Sequence, residues 1–258
     1  MTDRAQRWRS GRDVYRPARE TIRPSEYDVA PLDELSARAF VVGHHYSRSY
    51  PAARFRFGLQ RRGTLVGVAV FSHPCRDDLL SIFPGERLLS VELGRFVLLD
   101  EVPGNGETWF LARCFELLRS RGMIGVLSFC DPFPRATLDG RTVFAGHIGT
   151  IYQAHNGRYL GRGAPRTMRF LPDGRVLSAR AISKIRARER GWRYAAAQLV
   201  EFGADPLTED TTAWLARWLP RLTRTARHPG NHKYAWTLQR GHRRHLGCRP
   251  YPKGEVAT

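Results

Sequence analysis

Residues 91–131 constrain this chain more than any other stretch, because their hydrophobic period changes twice. Residues 91–99 are rich in apolar, β-compatible side chains, and Pro103-Gly104-Asn105-Gly106 then ends the strand by turn chemistry. From Glu107 the period becomes helical: Leu111, Phe115 and Leu118 recur, as do Phe110, Cys114 and Leu117, until Gly122 closes the helix. Residues 124–129 then read as a buried strand that leads to Ser128 and Asp131 at its end. A strand, a crossover helix and a strand imply a parallel pair, with the helix N-terminus and the carboxyl ends of the strands at one edge. Ligands bind at such edges.

Gly104 and Gly106 stand beside that helix start, where backbone N–H groups could face a phosphate with no Cβ in the way. The loop is not a Walker loop, since no Lys-Ser/Thr follows, and it lacks the third glycine of the dinucleotide fingerprint. An ordinary strand-to-helix connection therefore stands beside the pyrophosphate cradle as a reading.

The 258 residues suffice for one large domain with extensions and a real core. With 42 Lys+Arg against 24 Asp+Glu the net charge is +18 and the pI about 10.8, which points to a polyanionic partner, nucleic acid first. Nearly all the basic charge is arginine, which forks onto phosphates and guanine edges. No apolar run reaches a bilayer span and no secretory segment follows Met1, so a soluble cytoplasmic protein without a membrane partner is expected. Cys75, Cys114, Cys130 and Cys248 form no C-x-x-C pair, and Cys114 and Cys130 fall in apolar segments as core thiols.

In chain order, residues 1–23 carry seven arginines against Asp3, Asp13 and Glu20 and read as a basic arm. Residues 27–42 begin the fold, with Asp33 a candidate helix cap and Leu35, Ala39 and Val42 at helical spacing, and are followed by His44-His45-Tyr46-Ser47, which suits a pocket rim or a helix end. Residues 54–59 and 65–72 form a hairpin around Arg61-Arg62-Gly63-Thr64. Residues 150–154 open a short helix that would bring His147 and Tyr152 near Ser128 and Asp131, and residues 159–177 hold two short strands. Residues 175–258 carry 17 Lys+Arg against 6 Asp+Glu, a local balance of +11. There residues 182–192 suit a basic helix, and Trp214, Leu215, Trp218 and Leu222 form a packing stripe on another. Tyr234, Trp236 and Tyr251 interleave with basic residues in the tail, as in surfaces that stack on bases. His228 with His232, and His242, His245 and Cys248, have metal-like spacing but no C-x-x-C partner to complete a zinc site.

This order of elements resembles the GNAT acyltransferase superfamily and, within it, the Mom-type DNA adenine-modification proteins of phages and mobile elements. The residues that carry the resemblance are His44-His45-Tyr46-Ser47, Glu92-Leu93-Gly94-Arg95-Phe96, Asn105 with Glu107-Thr108-Trp109-Phe110, Ser128-Phe129-Cys130-Asp131-Pro132, His147 through Tyr152, and Gly230-Asn231-His232-Lys233-Tyr234. The fold it implies is α/β (α+β), a GNAT-like, mixed and mostly antiparallel sheet with flanking helices. The expected division is a basic arm over 1–24, a catalytic domain over 25–178, and a basic helical extension and tail that binds nucleic acid over 179–258.

The activity implied by the resemblance converts the N6 amine of adenine in DNA to a methylcarbamoyl form, an anti-restriction modification, with acetyl-coenzyme A and an iron ion. It would place Tyr46, Arg95, Ser128, Asp131 and Tyr152 in the catalytic site, and Phe96, Val97, Gly104, Asn105, Gly106 and Thr108 around the cofactor. His45 and Tyr46 are the candidate Fe(II) ligands, although the facial triad of two histidines and a carboxylate cannot be completed from the sequence. By the resemblance Tyr152 is placed like the tyrosine with which many GNAT enzymes give a proton to the departing sulfur, while Asp131 suits a base or orienter and Ser128 a hydrogen-bonding anchor. Arg95, a charge inside a strand, needs a partner such as Glu92, Asp131 or a ligand. The target adenine would be flipped out or single-stranded. The other readings are a GNAT enzyme acting on RNA or protein and a catalytically inactive nucleic-acid-binding module. The oligomeric state, homodimer included, stays open.

Overall fold

The structure, a computed structural model, describes residues 4–9 and 12–17 by their backbone, and residues 21–239 and 246–252. The chain begins with β1 (Arg4–Arg9) and β2 (Arg12–Pro17), followed by β3 (Tyr27–Pro31), α1 (Glu34–His44), β4 (Ala53–Arg61) and β5 (Thr64–Ser72). Next come β6 (Ser90–Leu98), α2 (Gly106–Arg119), β7 (Gly125–Cys130), β8 (Arg135–Ala136), β9 (Thr142–Phe144), α3 (Thr150–Ala154) and β10 (Arg158–Arg162). The last third holds β11 (Arg166–Phe170), β12 (Val176–Leu177), α4 (Ala179–Ala187), α5 (Trp192–Val200), α6 (Thr211–Leu222), β13 (Arg224–His228) and β14 (His232–Thr237).

The main sheet has seven strands in the order β10-β14-β7-β6-β5-β4-β3. Every neighbouring pair in it is antiparallel except β6 and β7, which are parallel and joined by α2 as the period change implied. The α2 face of the sheet packs Val91, Leu93, Val126, Phe71 and Trp236 against Phe110, Leu111, Cys114, Phe115 and Leu118 of the helix. On the opposite face, Ala37, Phe40 and Val41 of α1 meet Val68, Val70 and Val97. The Asp33 side chain accepts the Ser36 N–H at 2.9 Å and so starts α1, as its place before Leu35, Ala39 and Val42 implied, while residues 27–31 pair with β4 as an edge strand. Their alternation of buried Tyr27 with exposed neighbours suits a strand at a sheet edge.

The linear division at residue 178 does not match the chain's path. One compact unit comprises Met1–Pro132, His147–Gly163 and Asn231–Thr258, and the other Phe133–Gly146 with Ala164–Gly230. The tail segment that reads as a stacking surface is instead an interior strand: β14 lies between β10 and β7, with Tyr234 and Trp236 buried. In the second unit β12-β11-β13 form a three-stranded sheet, and Trp214 and Leu215 of α6 are buried with Ile185, Ala195, Ala196 and Leu199, which makes that stripe core. The basic helix expected over 182–192 is two helices, because Arg188 and Gly191 take left-handed backbone angles between α4 and α5. Part of the basic arm, and His242 and His245, lie outside the described residues.

Candidate active site

β6 and β7 pair only from Ser90 opposite Gly125 to Leu93 opposite Ser128. Beyond that point β6 continues on β5 as far as Leu98 opposite Gly67, and β7 continues on β14 to Cys130 opposite His232. The two parallel strands therefore splay at their carboxyl ends and leave two backbone edges facing a cleft. A register shift against β5 accommodates Gly94, since Phe71 pairs with Leu93 and Val70 with Arg95. Only glycine fits at that bulge, because a Cβ on Gly94 would lie 2.5 Å from Ser72 Oγ. The extra residue puts Glu92 and Arg95 on the same face of the sheet, a placement that strict alternation would forbid.

Arg95 is anchored from both sides of its fork. Its Nε donates to the Ser49 carbonyl at 2.8 Å, one terminal nitrogen donates to Ser49 Oγ at 2.7 Å, and the other to the Gly94 carbonyl. Tyr46, Glu92 and Tyr152 are close enough to act on its charge. Tyr152 is buried on α3 against the rings of Tyr234 and Trp236, at 5.6 and 5.4 Å, and meets Ser128, whose hydroxyl donates to the Leu93 carbonyl at 3.1 Å. Gly149 makes that seat possible: its φ is +81°, and a Cβ there would lie 2.5 Å from Cys130 Sγ. Asp131, also buried, accepts the His147 N–H through its carbonyl at 2.8 Å, and His147 stands edge-on to Tyr46 at 6.3 Å. Tyr46, Arg95, Ser128, Asp131 and Tyr152 thus gather at the carboxyl end of the splayed pair.

Glu92 is a site residue to which the sequence reading gave no catalytic role, naming it among the residues that carry the resemblance and as a partner for Arg95. Burial raises its carboxyl to about 7, with Arg95 opposing the rise. Burial, then the Cys130 thiol, also drives the Tyr152 phenol far above its ordinary value, with Ser128 opposing, so the hydroxyl keeps its proton at any physiological pH. A carboxyl poised near neutrality and a phenol that stays protonated put a proton acceptor and a hydrogen-bond donor in one cleft. The available signal was a second charge in an apolar strand. Ser49 could not be found, because it meets Arg95 only through the fold. Two shallow hollows, of about 140 and 120 Å³, lie elsewhere, at Arg54–Phe57 with Arg121 and at Glu26, Tyr27 and Arg61. It is the convergence of side chains that marks the site.

The Mom protein family model matches residues 26–253. The chain belongs to the Mom protein family. No curated protein sequence matches it. Among solved structures it is similar to a tandem GNAT protein from the clavulanic acid biosynthesis pathway, with 10% identity, a TM-score of 0.44, and coverage of 83% of this chain and 99% of that one. An N-acetyltransferase from Staphylococcus aureus Mu50 gives 9% identity, a TM-score of 0.37, and coverage of 83% and 99%. N-acetylglutamate synthase from Neisseria gonorrhoeae, complexed with coenzyme A and N-acetyl-glutamate, gives 12% identity, a TM-score of 0.30, and coverage of 83% and 35%. Mom-family membership supports a transferase of acyl type, and no helix among the described residues is long and apolar enough to cross a membrane.

The cofactor residues named from the Mom resemblance divide in the structure. The splayed edge at Phe96 and Val97 offers backbone groups that β7 leaves unpaired, which fits an extended amide-bearing chain such as that of coenzyme A. Phe96 also packs on Phe110, with ring centroids 5.5 Å apart. The glycine loop is less of a cradle than its sequence suggests. Gly106 is buried, and a Cβ on it would lie 2.4 Å from Val102, so its smallness serves packing. Asn105 uses its Oδ1 to accept the Ile22 N–H at 2.7 Å, Thr108 donates to the Asn105 carbonyl at 3.1 Å, and half-buried Gly104 is left beside the start of α2.

Iron fits less well. His45 Nδ1 is engaged by Ser47, 2.9 Å from its hydroxyl and 3.1 Å from its backbone N–H, so that ring nitrogen is taken by the chain itself. The described residues contain no cluster of three or more His, Cys, Asp or Glu side chains able to hold a metal ion. The His45 and Tyr46 rings lie tilted at 31° with centroids 4.3 Å apart, and no step is assigned to iron.

Proposed function

We propose that this Mom-family chain is an acyl-type transferase that modifies the N6 amine of adenine in DNA, drawing on acetyl-coenzyme A held at the splayed edge of β6. The observation that carries this reading is the pairing of Glu92, poised near 7, with protonated Tyr152 across Arg95. Acetyl-coenzyme A would supply the activated acyl thioester, with the backbone of Phe96 and Val97 and the N-terminus of α2 holding it. Glu92 accepts a proton from the attacking amine, which needs this help because its lone pair is delocalised into the ring. Tyr152 holds a proton at its hydroxyl for the departing sulfur, and Ser128 fixes the direction of that hydroxyl. Arg95, locked by Ser49, presents positive charge to the developing oxyanion. Asp131 orients the amine from the end of β7.

The step these residues carry is acetyl transfer from sulfur to N6, with the coenzyme A thiol released. The methylcarbamoyl form of the Mom resemblance holds a further nitrogen and lies two electrons above an acetyl amide, so reaching it takes a nitrogen donor and an oxidant beyond the residues named. The net charge of +18 suits a DNA substrate, and burial of the catalytic groups calls for a flipped or unpaired adenine. Purified protein incubated with DNA and acetyl-coenzyme A is expected to yield a new adenosine adduct in digested nucleosides by mass spectrometry. Mass gained by RNA or protein, with DNA unchanged, would replace adenine as the acceptor.

A further inference from the structure

The second unit carries a surface that the transfer chemistry does not use. Six Lys and Arg residues lie between positions 179 and 193, namely Arg180, Lys184, Arg186, Arg188, Arg190 and Arg193, against the single acid Glu189. Glu189 is taken by Arg180. Arg186, Arg190 and Arg193 are exposed and form no ion pair among the described residues. Arg188 and Arg193 flank the Trp192 ring, their guanidinium carbons 5.4 and 4.9 Å from its centroid.

The backbone beneath these charges has a defined form. α4 ends in a turn of four residues, Arg188-Glu189-Arg190-Gly191, in which Arg188 has φ +48° and Gly191 φ +87°, and α5 begins at once. Two helices joined by a short glycine-bearing turn have the connection of a helix-turn-helix. Its inner side is fixed: Ile185 of α4 and Ala195, Ala196 and Leu199 of α5 are buried with Trp214 and Leu215 of α6. The outer side of α5 shows Arg193, Ala197 and Val200 at helical spacing, with Tyr194 80% exposed beside them. A monomeric helix gains nothing by leaving a tyrosine and a valine in water next to unpaired arginines, and the same set suits a helix laid between phosphate rows.

We propose that α4, its turn and α5 form a docking module for duplex DNA, with Arg186, Arg190 and Arg193 on the phosphates and the Tyr194-Ala197 face of α5 in the major groove. Ala197 and Val200 match thymine methyl groups, and Gln198 is the base-reading side chain on that helix. Duplex RNA is the poorer fit, because its major groove is too deep and narrow to admit a helix. The module deepens the DNA reading of the substrate, since it would hold the duplex from which an adenine is extruded.

The test measures binding of a fluorescent B-form duplex by the full chain over a range of salt. Replacing all three arginines (Arg186→Ala, Arg190→Ala, Arg193→Ala) is expected to lower the slope of log affinity against log salt by about 3, and to weaken binding on the order of a hundredfold near 0.1 M salt. A charge-matched control (Arg38→Ala, Arg76→Ala, Arg113→Ala) removes exposed arginines that are ion-paired with Glu34, Asp78 and Glu116, and should change the slope clearly less. Ala197→Glu, an exposed substitution that keeps the helix, is expected to abolish duplex binding while leaving the melting temperature unchanged. Equal slopes for the two triple variants, tight binding by Ala197→Glu, or equal affinity for the same sequence as an RNA duplex would each overturn the proposal. Adduct formation by the wild type separates this test from the transferase reading. Slope loss without any adduct sinks the chemistry and leaves the module standing, whereas adducts made with unchanged slopes do the reverse.

Discussion

Arg95 and the arginines of the α4–α5 turn are the same residue put to opposite physical uses. Arg95 lies half-buried, spends its donors on Ser49 and Gly94, and is pulled below its ordinary value first by burial. Arg186, Arg190 and Arg193 stand in water and form no ion pair among the described residues, Glu189 being taken by Arg180. A desolvated guanidinium is worth what its geometry secures, since any misplacement leaves a buried charge with broken hydrogen bonds. An exposed set is worth its count, because each cation releases counterions from the polyanion almost independently of its neighbours. The cleft should therefore respond sharply to single, shape-preserving changes, and the turn only to changes in charge.

The largest expected effect is in the cleft. Tyr152→Phe keeps the ring that packs on Tyr234 and Trp236 and deletes only the hydroxyl, so stability should hold while adduct formation falls by roughly a hundredfold to ten-thousandfold, the usual range for a lost general acid. Thermal melting and nucleoside mass analysis of one preparation check both halves. A retained rate would remove Tyr152 from the chemistry and blunt the contrast between the regions.

Next comes Glu92→Gln, read against pH. In the wild type the rate is expected to rise through about pH 7 as the carboxylate forms, and the variant should be slow and flat over that range. Stability gives an independent sign. A carboxyl whose folded value is raised stabilises the fold only while protonated, and that contribution is lost as pH rises through about 7. The amide variant should therefore melt higher than the wild type at pH 8 and close to it at pH 4. A wild-type rate that is level across pH 6 to 8 would mean that another group takes the proton.

These contrasts also show what the sequence could carry. The parallel pair β6 and β7 was legible because its signal is local, a change from strand to helical period with Pro103-Gly104-Asn105-Gly106 between, and the short helix over 150–154 that carries Tyr152 was legible likewise, whereas the splay of the pair was not. β14 was not legible, because the segment His232–Thr237 sits in a basic stretch and becomes interior only by pairing with β7, far away in sequence. The role of Gly106 was misread for a related reason, since the space beside it belongs to Val102. Glu92 was visible as a residue, but its poise depends on burial in the folded cleft. The turn at Arg188 to Gly191 was hidden inside a run of charge that reads as one helix until the backbone angles divide it.

The smallest expected effect separates the two uses of arginine most cleanly. Arg95→Lys keeps the charge but loses the planar fork that holds the Ser49 carbonyl and hydroxyl and the Gly94 carbonyl, because an ammonium is a single point on a flexible stem. Loss of that fork is expected to slow adduct formation by about tenfold or more and to destabilise the fold by less than about 1 kcal/mol, because the exposed Ser49 acceptors can turn to water. The same exchange made together at Arg186, Arg190 and Arg193 preserves every exposed charge, so the salt slope of duplex binding should stay within about half a unit of the wild type. If the lysine variant of the turn lost as much slope as the alanine variant, those arginines would be bonding with the geometric demand of Arg95, to base edges rather than phosphates. The two regions would then differ in burial alone.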